Sequence, residues 1–207
     1  MRINKKKFVY LISPNKISNE FFYNDLVEVF KSKKISFFQL RLKNANKKKK
    51  FLIGKKIKKI CKKYNVNFIV NDDPFLAKKV NADGCHLGQN DMTINEARRI
   101  LKNKIIGITC HNSIKLAKIA IKNKADYLAF GAFHASKTKK VRFIAKINIL
   151  NSIKKLSKIP TVAIGGINSN NYKKLLLNNA NFLAISSYIW NNKKYKPSEA
   201  IRKINED

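Results

Sequence analysis

The chain has 207 residues, of which 45 are Lys or Arg and 12 are Asp or Glu, so its formal net charge is +33. The length fits one domain, and the 44% hydrophobic content with 7 Gly and 4 Pro excludes a disordered or collagen-like chain. No apolar run approaches the roughly 20 residues of a membrane helix, and the apolar stretch at 8–12 is too short for a secretory signal.

Short apolar runs alternate with longer stretches of helical pattern. The runs that predict strands lie at 8–12, 35–40, 67–70, 83–87, 105–109, 126–131, 160–164 and 182–186. The stretches that predict helices lie at 19–33, 46–64, 73–80, 93–102, 113–123, 145–157, 169–178 and 197–204. Because parallel neighbours need a helical crossover, these units predict a single-domain (β/α)8 TIM barrel over residues 1–207. An open, doubly wound sheet is the alternative.

The second predicted strand ends in polar residues. Gln39, Arg41 and Lys43 alternate with Leu40 and Leu42, so the three polar side chains share one side of the strand. In TIM barrels the reactive groups lie at the carboxyl ends of strands. Two cations at such an end predict a binder for an anionic group such as phosphate. The alternative is a strand that simply emerges into solvent.

Acidic residues follow the third and fourth predicted strands, although acids are scarce in this chain. Asp72 and Asp73 follow one strand, and Asp91 follows the next. Close carboxylates repel each other unless a cation lies between them, and one or two carboxylates completed by phosphate and water suit Mg²⁺. Helix N-capping is the alternative. We predict that Asp72 and Asp91 bind Mg²⁺ and that Asp73 caps the helix beginning at Pro74.

Later loops also suggest anion binding. Residues 131–140 alternate small hydroxylated residues with lysines, which is typical of an anion-binding lid or of a basic surface loop. Gly165 and Gly166 directly follow the seventh predicted strand, where glycine lets a backbone approach a ligand closely, and Ser186 ends the eighth. In barrels the loops after these two strands frequently bind phosphate.

The histidines and cysteines indicate little chemistry of their own. We interpret His86 and His111 as structural or supporting residues, and His134 in the basic loop as a candidate general acid or base. The 3 cysteines have no metal-binding spacing, and their odd number favours a reducing cytoplasm. Cys85 lies in an apolar run and is predicted to be core.

The positive charge alone would suggest nucleic acid or an anionic membrane as a partner. However, only six of the basic residues are arginine, the residue that nucleic-acid readers favour for bidentate contacts. Lys, Asn and Ile are abundant together and share A/T-rich codons, which favours compositional drift. We predict neither a nucleic-acid nor a membrane partner, and we interpret the lysine run at 47–50 as a solvated helix face, with an anion-attracting surface as the alternative.

Seven segments, in order over nearly the whole chain, carry a resemblance to a known family. They are YLIS (10–13), QLRLK (39–43), NDDPFLAKKVNADGCHLGQNDM (71–92), IIGITCHN (105–112), ADYLAFGAFHASKTK (125–139), IPTVAIGGIN (159–168) and AISSYI (184–189). They resemble the thiamine-phosphate synthase family of TIM-barrel enzymes. Its members join a pyrimidine methyl diphosphate to a thiazole phosphate, giving thiamine phosphate and pyrophosphate by a dissociative mechanism.

The resemblance implies roles for individual residues. Those implied to bind the pyrimidine diphosphate are Gln39, Arg41, Lys43, Asn71, Thr109 and Lys139. Those implied to hold the thiazole phosphate are Ser136, Thr138, Gly166, Ile185 and Ser186. Asp72 and Asp91 would bind Mg²⁺. The cations Arg41, Lys43 and Lys139 would stabilise the departing pyrophosphate. A homo-oligomer is left open.

Some positions depart from the family pattern. Ala132, His134 and Ser136 replace its Pro, aromatic residue and first Thr, and Asn181 replaces a Gly before the last strand. Thr109 stands where Ser is usual and keeps the hydroxyl, as Ser136 does, so we expect both changes to be tolerated. We expect His134 and Asn181 to affect loop packing or thiazole affinity.

Two other functions compete with synthase activity. A thiazole tautomerase belongs to a related branch that lacks the metal site, and a basic nucleic-acid-binding protein would account for the charge alone. The presence of Asp72, Gln89 and Asp91 favours the synthase.

Overall fold

The chain folds as a closed barrel of eight parallel strands surrounded by helices. The computed structural model describes residues 7–17, 19–135 and 143–204. The strands are β1 (Val9–Ile12), β2 (Ile35–Leu40), β3 (Asn67–Asn71), β4 (Gly84–Leu87), β5 (Ile105–His111), β6 (Tyr127–Gly131), β7 (Thr161–Ile164) and β8 (Phe182–Ile185). The helices of the described ranges are α1 (Phe21–Lys31), α2 (Lys47–Lys63), α3 (Pro74–Lys79), α4 (Ile94–Leu101), α5 (Ile114–Lys122), α6 (Asn148–Leu156), α7 (Tyr172–Leu177), α8 (Ser187–Trp190) and α9 (Pro197–Lys203).

The predicted (β/α)8 barrel is confirmed, because β1 pairs in parallel with both β2 and β8 and so closes the sheet. Every predicted strand and helix is present; β2 has the predicted bounds, and each of the others is shifted at one or both ends. Strand β5 continues through His111, whereas the predicted strand ends at residue 109. His111 is therefore the last residue of the strand and does not lie in the loop after it. Helix α8 was not predicted, because four residues are too few to display a helical period. None of the described helices is both long and apolar enough to cross a membrane.

Large side chains fill the inside of the barrel, and a glycine makes room for one of them. The interior cluster includes Tyr10, Phe37, Ile69, Tyr127 and Phe182. A Cβ at Gly107 would lie 1.8 Å from the ring carbon Cζ of Tyr127. The missing side chain on β5 therefore leaves room for the Tyr127 ring, whose hydroxyl lies 2.9 Å from Nδ1 of His86 on β4. A separate, larger cluster lies between the strands and the helices.

Helix α2 shows where much of the positive charge lies. Its buried residues are Ile53, Gly54, Ile57 and Cys61, and most of its lysines are exposed. Two apolar residues of this helix, Phe51 and Leu52, are nevertheless exposed. The helix turns about 100° per residue, so these two residues fall outside the stripe that Ile53 and Ile57 define. The predicted solvated face holds for Lys47, Lys48 and Lys49.

Three short polar side chains pin neighbouring strands at the amino end of the barrel. Asp83, Asp126 and Asn181 directly precede β4, β6 and β8. Each accepts a hydrogen bond from a backbone N–H of the preceding strand. The donors are Phe68, Ile106 and Thr161, at 2.7, 2.8 and 2.8 Å. Because Asn181 lies at the end opposite the carboxyl ends of the strands, its contact is structural, and the expected link to thiazole affinity has no support.

The hydrogen bond from the Thr161 N–H to the Asn181 side chain predicts the effect of removing the Asn181 amide. In Asn181→Ala the backbone N–H of Thr161 is buried without its acceptor, so we expect the free energy of unfolding to fall by about 1–3 kcal/mol in urea denaturation. Asn181→Asp keeps an acceptor oxygen and is the matched control, with a smaller loss. An Ala variant with the unfolding midpoint of the unchanged protein would contradict this role.

Candidate active site

The polar residues at the end of β2 lie at the mouth of the barrel. Leu40 and Leu42 are buried while Arg41 is half-buried and Lys43 exposed, so the alternation continues past the end of the strand. The hydroxyl oxygen of Ser13 accepts a hydrogen bond from the Arg41 backbone N–H at 2.9 Å. This bond ties the end of β2 to the loop after β1 and holds two cations at the mouth.

Asp72 and Asp91 meet at the carboxyl ends of β3 and β4. Asp72 follows the last residue of β3 with a left-handed backbone (φ 63°), and its N–H donates to the His86 carbonyl at 2.8 Å. The Gly88 N–H donates to Oδ2 of Asp91 at 2.7 Å, which folds the loop after β4 back on itself. These backbone contacts place the two carboxyl groups close enough to influence each other's charge. The predicted proximity of the two acids is thus present.

Asp72 and Asp91 are partly buried and lie near basic side chains. Burial and the contact with Asp91 raise the pKa of Asp72 to about 6, against the opposing influence of Lys43 and Arg41. Among the described residues, neither acid forms an ion pair within 4.0 Å with a basic side chain. Two close carboxylates without a close counterion are a place where a bound cation is favoured.

The donor set of this pair fits a magnesium ion that a ligand completes. Mg²⁺ commonly takes one or two carboxylates and fills its other positions with substrate phosphates and water. Within the described ranges, no group of three or more His, Cys, Asp and Glu forms a complete protein cage. Asp72 and Asp91 therefore supply part of such a donor set, and Lys43 and Arg41 are near enough to influence the charge of Asp72.

The neighbouring acid has the predicted capping role. Oδ1 of Asp73 accepts a hydrogen bond from the Leu76 N–H at 2.8 Å, and Pro74 follows at the first position of α3. Thr93, and not Asp91, caps α4. Asp91 is thus left for the pair with Asp72.

A chain of hydrogen bonds lies inside the barrel below the mouth. Nε2 of Gln39 lies 3.1 Å from the Tyr10 hydroxyl, which lies 2.7 Å from the Tyr127 hydroxyl. The Tyr127 hydroxyl lies 2.9 Å from Nδ1 of His86, and Nε2 of His86 lies 2.8 Å from Oγ1 of Thr109. Burial lowers the pKa of His86 to about 4 and raises the pKa of both tyrosines. The imidazole is therefore neutral and the phenols are protonated near neutral pH.

The residues at the two ends of this series of hydrogen bonds are predicted from the sequence, but the tyrosines between them are not. The family resemblance predicts ligand contacts for Gln39 and Thr109, whereas the sequence pattern indicates only that Tyr10 and Tyr127 belong to apolar strands. The available signal was the phenol itself, because a buried tyrosine hydroxyl usually needs a hydrogen-bond partner. His86 has the supporting position that the sequence suggested.

The glycines after β7 pack against the loop after β6. Gly165 and Gly166 have positive φ of 108° and 58°. A Cβ on Gly165 would lie 2.4 Å from the Cβ of Ala132, and one on Gly166 would lie 2.3 Å from the Ala135 carbonyl oxygen. Their lack of a side chain therefore admits the loop after β6. The predicted close approach of a ligand to Gly166 stays a prediction.

The remaining candidates for phosphate or diphosphate binding divide into two groups. Ile185 is buried at the end of β8, and Ser186 follows it with its hydroxyl donating to the Ser13 carbonyl at 3.2 Å. Ser136, Thr138 and Lys139 lie outside the described residues.

A cavity beside the ends of β2 and β3 is lined by Lys50, which the sequence analysis interprets only as part of the solvated run at 47–50. It has a volume of about 260 Å³, and its lining includes Lys43, Lys50, Asn71 and Asp72. Lys50, at the end of the 47–50 run, is half-buried, unlike the three lysines before it. Its helix, α2, begins directly after the β2 loop, so this lysine adds positive charge beside the acid pair.

The other titratable candidates lie apart from this cluster. His111 contacts the ring of Phe143, and burial lowers the pKa of the half-buried His134, with a smaller contribution from Lys174. All three cysteines are buried as free thiols, which confirms Cys85 as core.

Comparisons with known proteins agree with this geometry. The family model described as "Thiamine monophosphate synthase" matches residues 9–189. The thiamine-phosphate synthase of Pelagibacter ubique (strain HTCC1062) is 69% identical over 206 residues, covering 99% of this chain and 100% of that protein. That of Nitrosomonas eutropha is 39% identical, covering 75% and 74%. The solved thiamine phosphate pyrophosphorylase of Pyrococcus furiosus superposes with a TM-score of 0.84 at 31% identity, covering 97% and 94%. This chain belongs to the thiamine monophosphate synthase family.

Proposed function

We propose that this chain is a Mg²⁺-dependent thiamine-phosphate synthase of the cytoplasm. It joins 4-amino-2-methyl-5-(diphosphooxymethyl)pyrimidine to 4-methyl-5-(2-phosphooxyethyl)thiazole and releases pyrophosphate. The observation that carries the proposed site is the contact between Asp72 and Asp91 at the barrel mouth, beside Arg41 and Lys43. Full-length similarity to named synthases supports the reaction.

The diphosphate is proposed to bind across the ends of β2 and β3. Arg41 and Lys43 would pair with its oxygens, Asn71 would donate an amide hydrogen, and Lys139 from the later loop would join them. Bound Mg²⁺, held by Asp72 and Asp91, supplies further neutralisation of the diphosphate charge. Such preorganised positive charge favours the transition state, in which negative charge gathers on the leaving group.

The reaction then needs positioning more than a protein nucleophile. The bond between the pyrimidine methylene carbon and the diphosphate oxygen breaks, and the oxygen keeps the electron pair. The aminopyrimidine ring delocalises the positive charge on the methylene carbon. The thiazole nitrogen donates its lone pair to that carbon and forms the new C–N bond. Gln39 and Thr109 are proposed to orient the pyrimidine, and alignment of the two substrates contributes much of the rate.

The thiazole phosphate is proposed to bind at the loops after β6, β7 and β8. Ser136 and Thr138 would donate hydroxyl hydrogens, and the backbone at Gly166, Ile185 and Ser186 would complete the phosphate site. The close packing of the loop after β6 against the glycines of the β7 loop supports this choice, because it brings these segments together.

The activity is tested by mixing the purified protein with the two substrates and Mg²⁺ and measuring thiamine phosphate by chromatography. We expect equal amounts of thiamine phosphate and pyrophosphate, and none after chelation of the metal. Absence of product, while a known synthase is active under the same conditions, would overturn the proposed function.

The acid pair makes a second prediction. Asp72→Asn and Asp91→Asn each remove a carboxylate charge, so we expect kcat/KM to fall by about 10²–10³-fold at limiting Mg²⁺. Asp73→Asn is the matched control, because Asn caps a helix as well as Asp does. Circular dichroism checks that all three variants fold. Near-normal rates for either of the first two variants would contradict the ligand assignment.

The contact between Gly88 and Asp91 makes a third prediction. A Cβ at residue 88 would lie 2.9 Å from Oδ2 of Asp91, so Gly88→Ala must displace this carboxylate. We expect the Mg²⁺ concentration for half-maximal activity to rise about tenfold. Asn90→Ala, an exposed position in the same loop, is the control. An unchanged Mg²⁺ requirement in Gly88→Ala would show that the Asp91 orientation is unimportant.

A further inference from the structure

Two consecutive lysines in the first turns of α2 line different cavities. Lys49 lines a cavity of about 380 Å³ on the α1 side of the helix, together with Glu20 and Tyr23. Lys50 lines the cavity of about 260 Å³ on the α3 side, together with Asp73. Successive residues of a helix point about 100° apart. The Lys50 side chain therefore faces the ends of β2 and β3, and that of Lys49 does not.

Lys50 also differs from the lysines of α2 that neutralise acids. Lys58 forms an ion pair with Asp83 at 2.6 Å, and Lys56 forms one with Glu20. Among the described residues, Lys50 forms no ion pair within 4.0 Å, although it is half-buried and shares its cavity with two aspartates. A partly buried ammonium has lost some of its water. Without a carboxylate partner, it favours an anionic ligand.

The two aspartates of this cavity have other partners. Oδ1 of Asp73 accepts the hydrogen bond from Leu76 that caps α3. Asp72 lies close to Asp91, and the two are proposed to hold Mg²⁺ together. The cavity therefore keeps an ammonium group for which the described residues supply no close anion, and this is the charge that binds phosphate.

The cavity shares residues with the proposed diphosphate site. Lys43, Asn71 and Asp72 line it and also lie at or just after the ends of β2 and β3. The apolar part of its lining consists of Leu40, Leu42, Val70 and Leu76. Pockets that bury a whole drug-sized ligand have roughly 300–1,000 Å³. A cavity of about 260 Å³ beside the mouth therefore suits one end of a substrate.

We propose that Lys50 is a further substrate-binding residue, which binds the phosphate of the diphosphate that is farther from the pyrimidine, the distal phosphate. This inference rests on the proposed function. The pyrimidine is proposed to lie near Gln39, inside the ring of strands, whereas α2 lies outside that ring. A diphosphate that begins at the pyrimidine methylene and extends past Lys43 toward α2 reaches Lys50 with its last phosphate.

This position gives Lys50 a different role from that of Arg41 and Lys43. It is remote from the carbon–oxygen bond that breaks, so its charge stabilises the distal phosphate equally before and during cleavage. Such uniform binding lowers KM and leaves kcat unchanged. Lys50 therefore sets how tightly the protein holds the substrate and the released pyrophosphate, and it favours a diphosphate over a monophosphate.

The test is calorimetric titration of two variants with two probes in the presence of Mg²⁺. Lys50→Gln removes the ammonium and keeps a helix-forming side chain. Lys49→Gln is the matched control, because it changes the net charge equally at the next position, on a different side of the helix. The probes are inorganic pyrophosphate and the pyrimidine monophosphate, which lacks the distal phosphate.

We expect the Kd of pyrophosphate to rise about tenfold in Lys50→Gln, the effect of losing one hydrogen bond between charged groups. In Lys49→Gln it should change less than about twofold, as for a screened surface charge. The Kd of the pyrimidine monophosphate should be the same in all three proteins. An unchanged Kd of pyrophosphate in Lys50→Gln, an equal rise in Lys49→Gln, or an equal weakening of the monophosphate would each overturn the assignment.

Steady-state kinetics test the same role during turnover. We expect Lys50→Gln to raise KM for the pyrimidine diphosphate about tenfold, with kcat and the KM for the thiazole phosphate within about twofold of the unchanged protein. A fall in kcat with KM unchanged would contradict uniform binding. The titration needs no turnover. A protein that makes no thiamine phosphate, yet loses pyrophosphate affinity in Lys50→Gln, would therefore overturn the proposed function alone.

Discussion

The closure of eight parallel strands into one barrel is the constraint on which every functional feature depends. Parallel pairing places all carboxyl ends at the same mouth, and the pairing of β8 with β1 leaves no free edge. Residues far apart in the chain therefore meet at this mouth: Asp72 contacts Asp91, and Ser186 contacts Ser13. The opposite end is pinned by the short side chains that precede β4, β6 and β8, which have a structural role.

The whole chain has a net charge of +33. In the part that the structure describes, its basic residues have two kinds of position. Most lysines of α2 lie on solvated faces around a narrow buried stripe, where their contribution to a specific site is small. Arg41, Lys43 and Lys50 instead lie near a pair of carboxylates at the mouth. The distribution therefore agrees with a basic enzyme that uses a few cations for a phosphorylated substrate.

The period and spacing of apolar residues were sufficient to predict the barrel architecture, because each strand–helix unit has its own apolar pattern. The acid pair was also predictable, since scarce aspartates at two adjacent strand ends must converge in a parallel barrel. Three features were not. Helix α8 is too short to show a period, and Phe51 shows that a local apolar cluster does not fix which face is buried.

The third is the chain through Tyr10 and Tyr127, which needs rings from β1 and β6 to meet across the barrel. The sequence does not show which two rings meet, although Gly107 beside Tyr127 is consistent with a large ring at this place.

The central claim is that Asp72 and Asp91 together hold the metal that accompanies the diphosphate. Crystals grown with Mn²⁺ and pyrophosphate test this claim directly, because the anomalous signal locates the manganese ion without reference to activity. We expect one strong peak bonded to an oxygen of both carboxylates and to the pyrophosphate, with Arg41 and Lys43 on the phosphate side. Pyrophosphate bound at the mouth with the manganese absent from this pair, or bound elsewhere, would contradict the account.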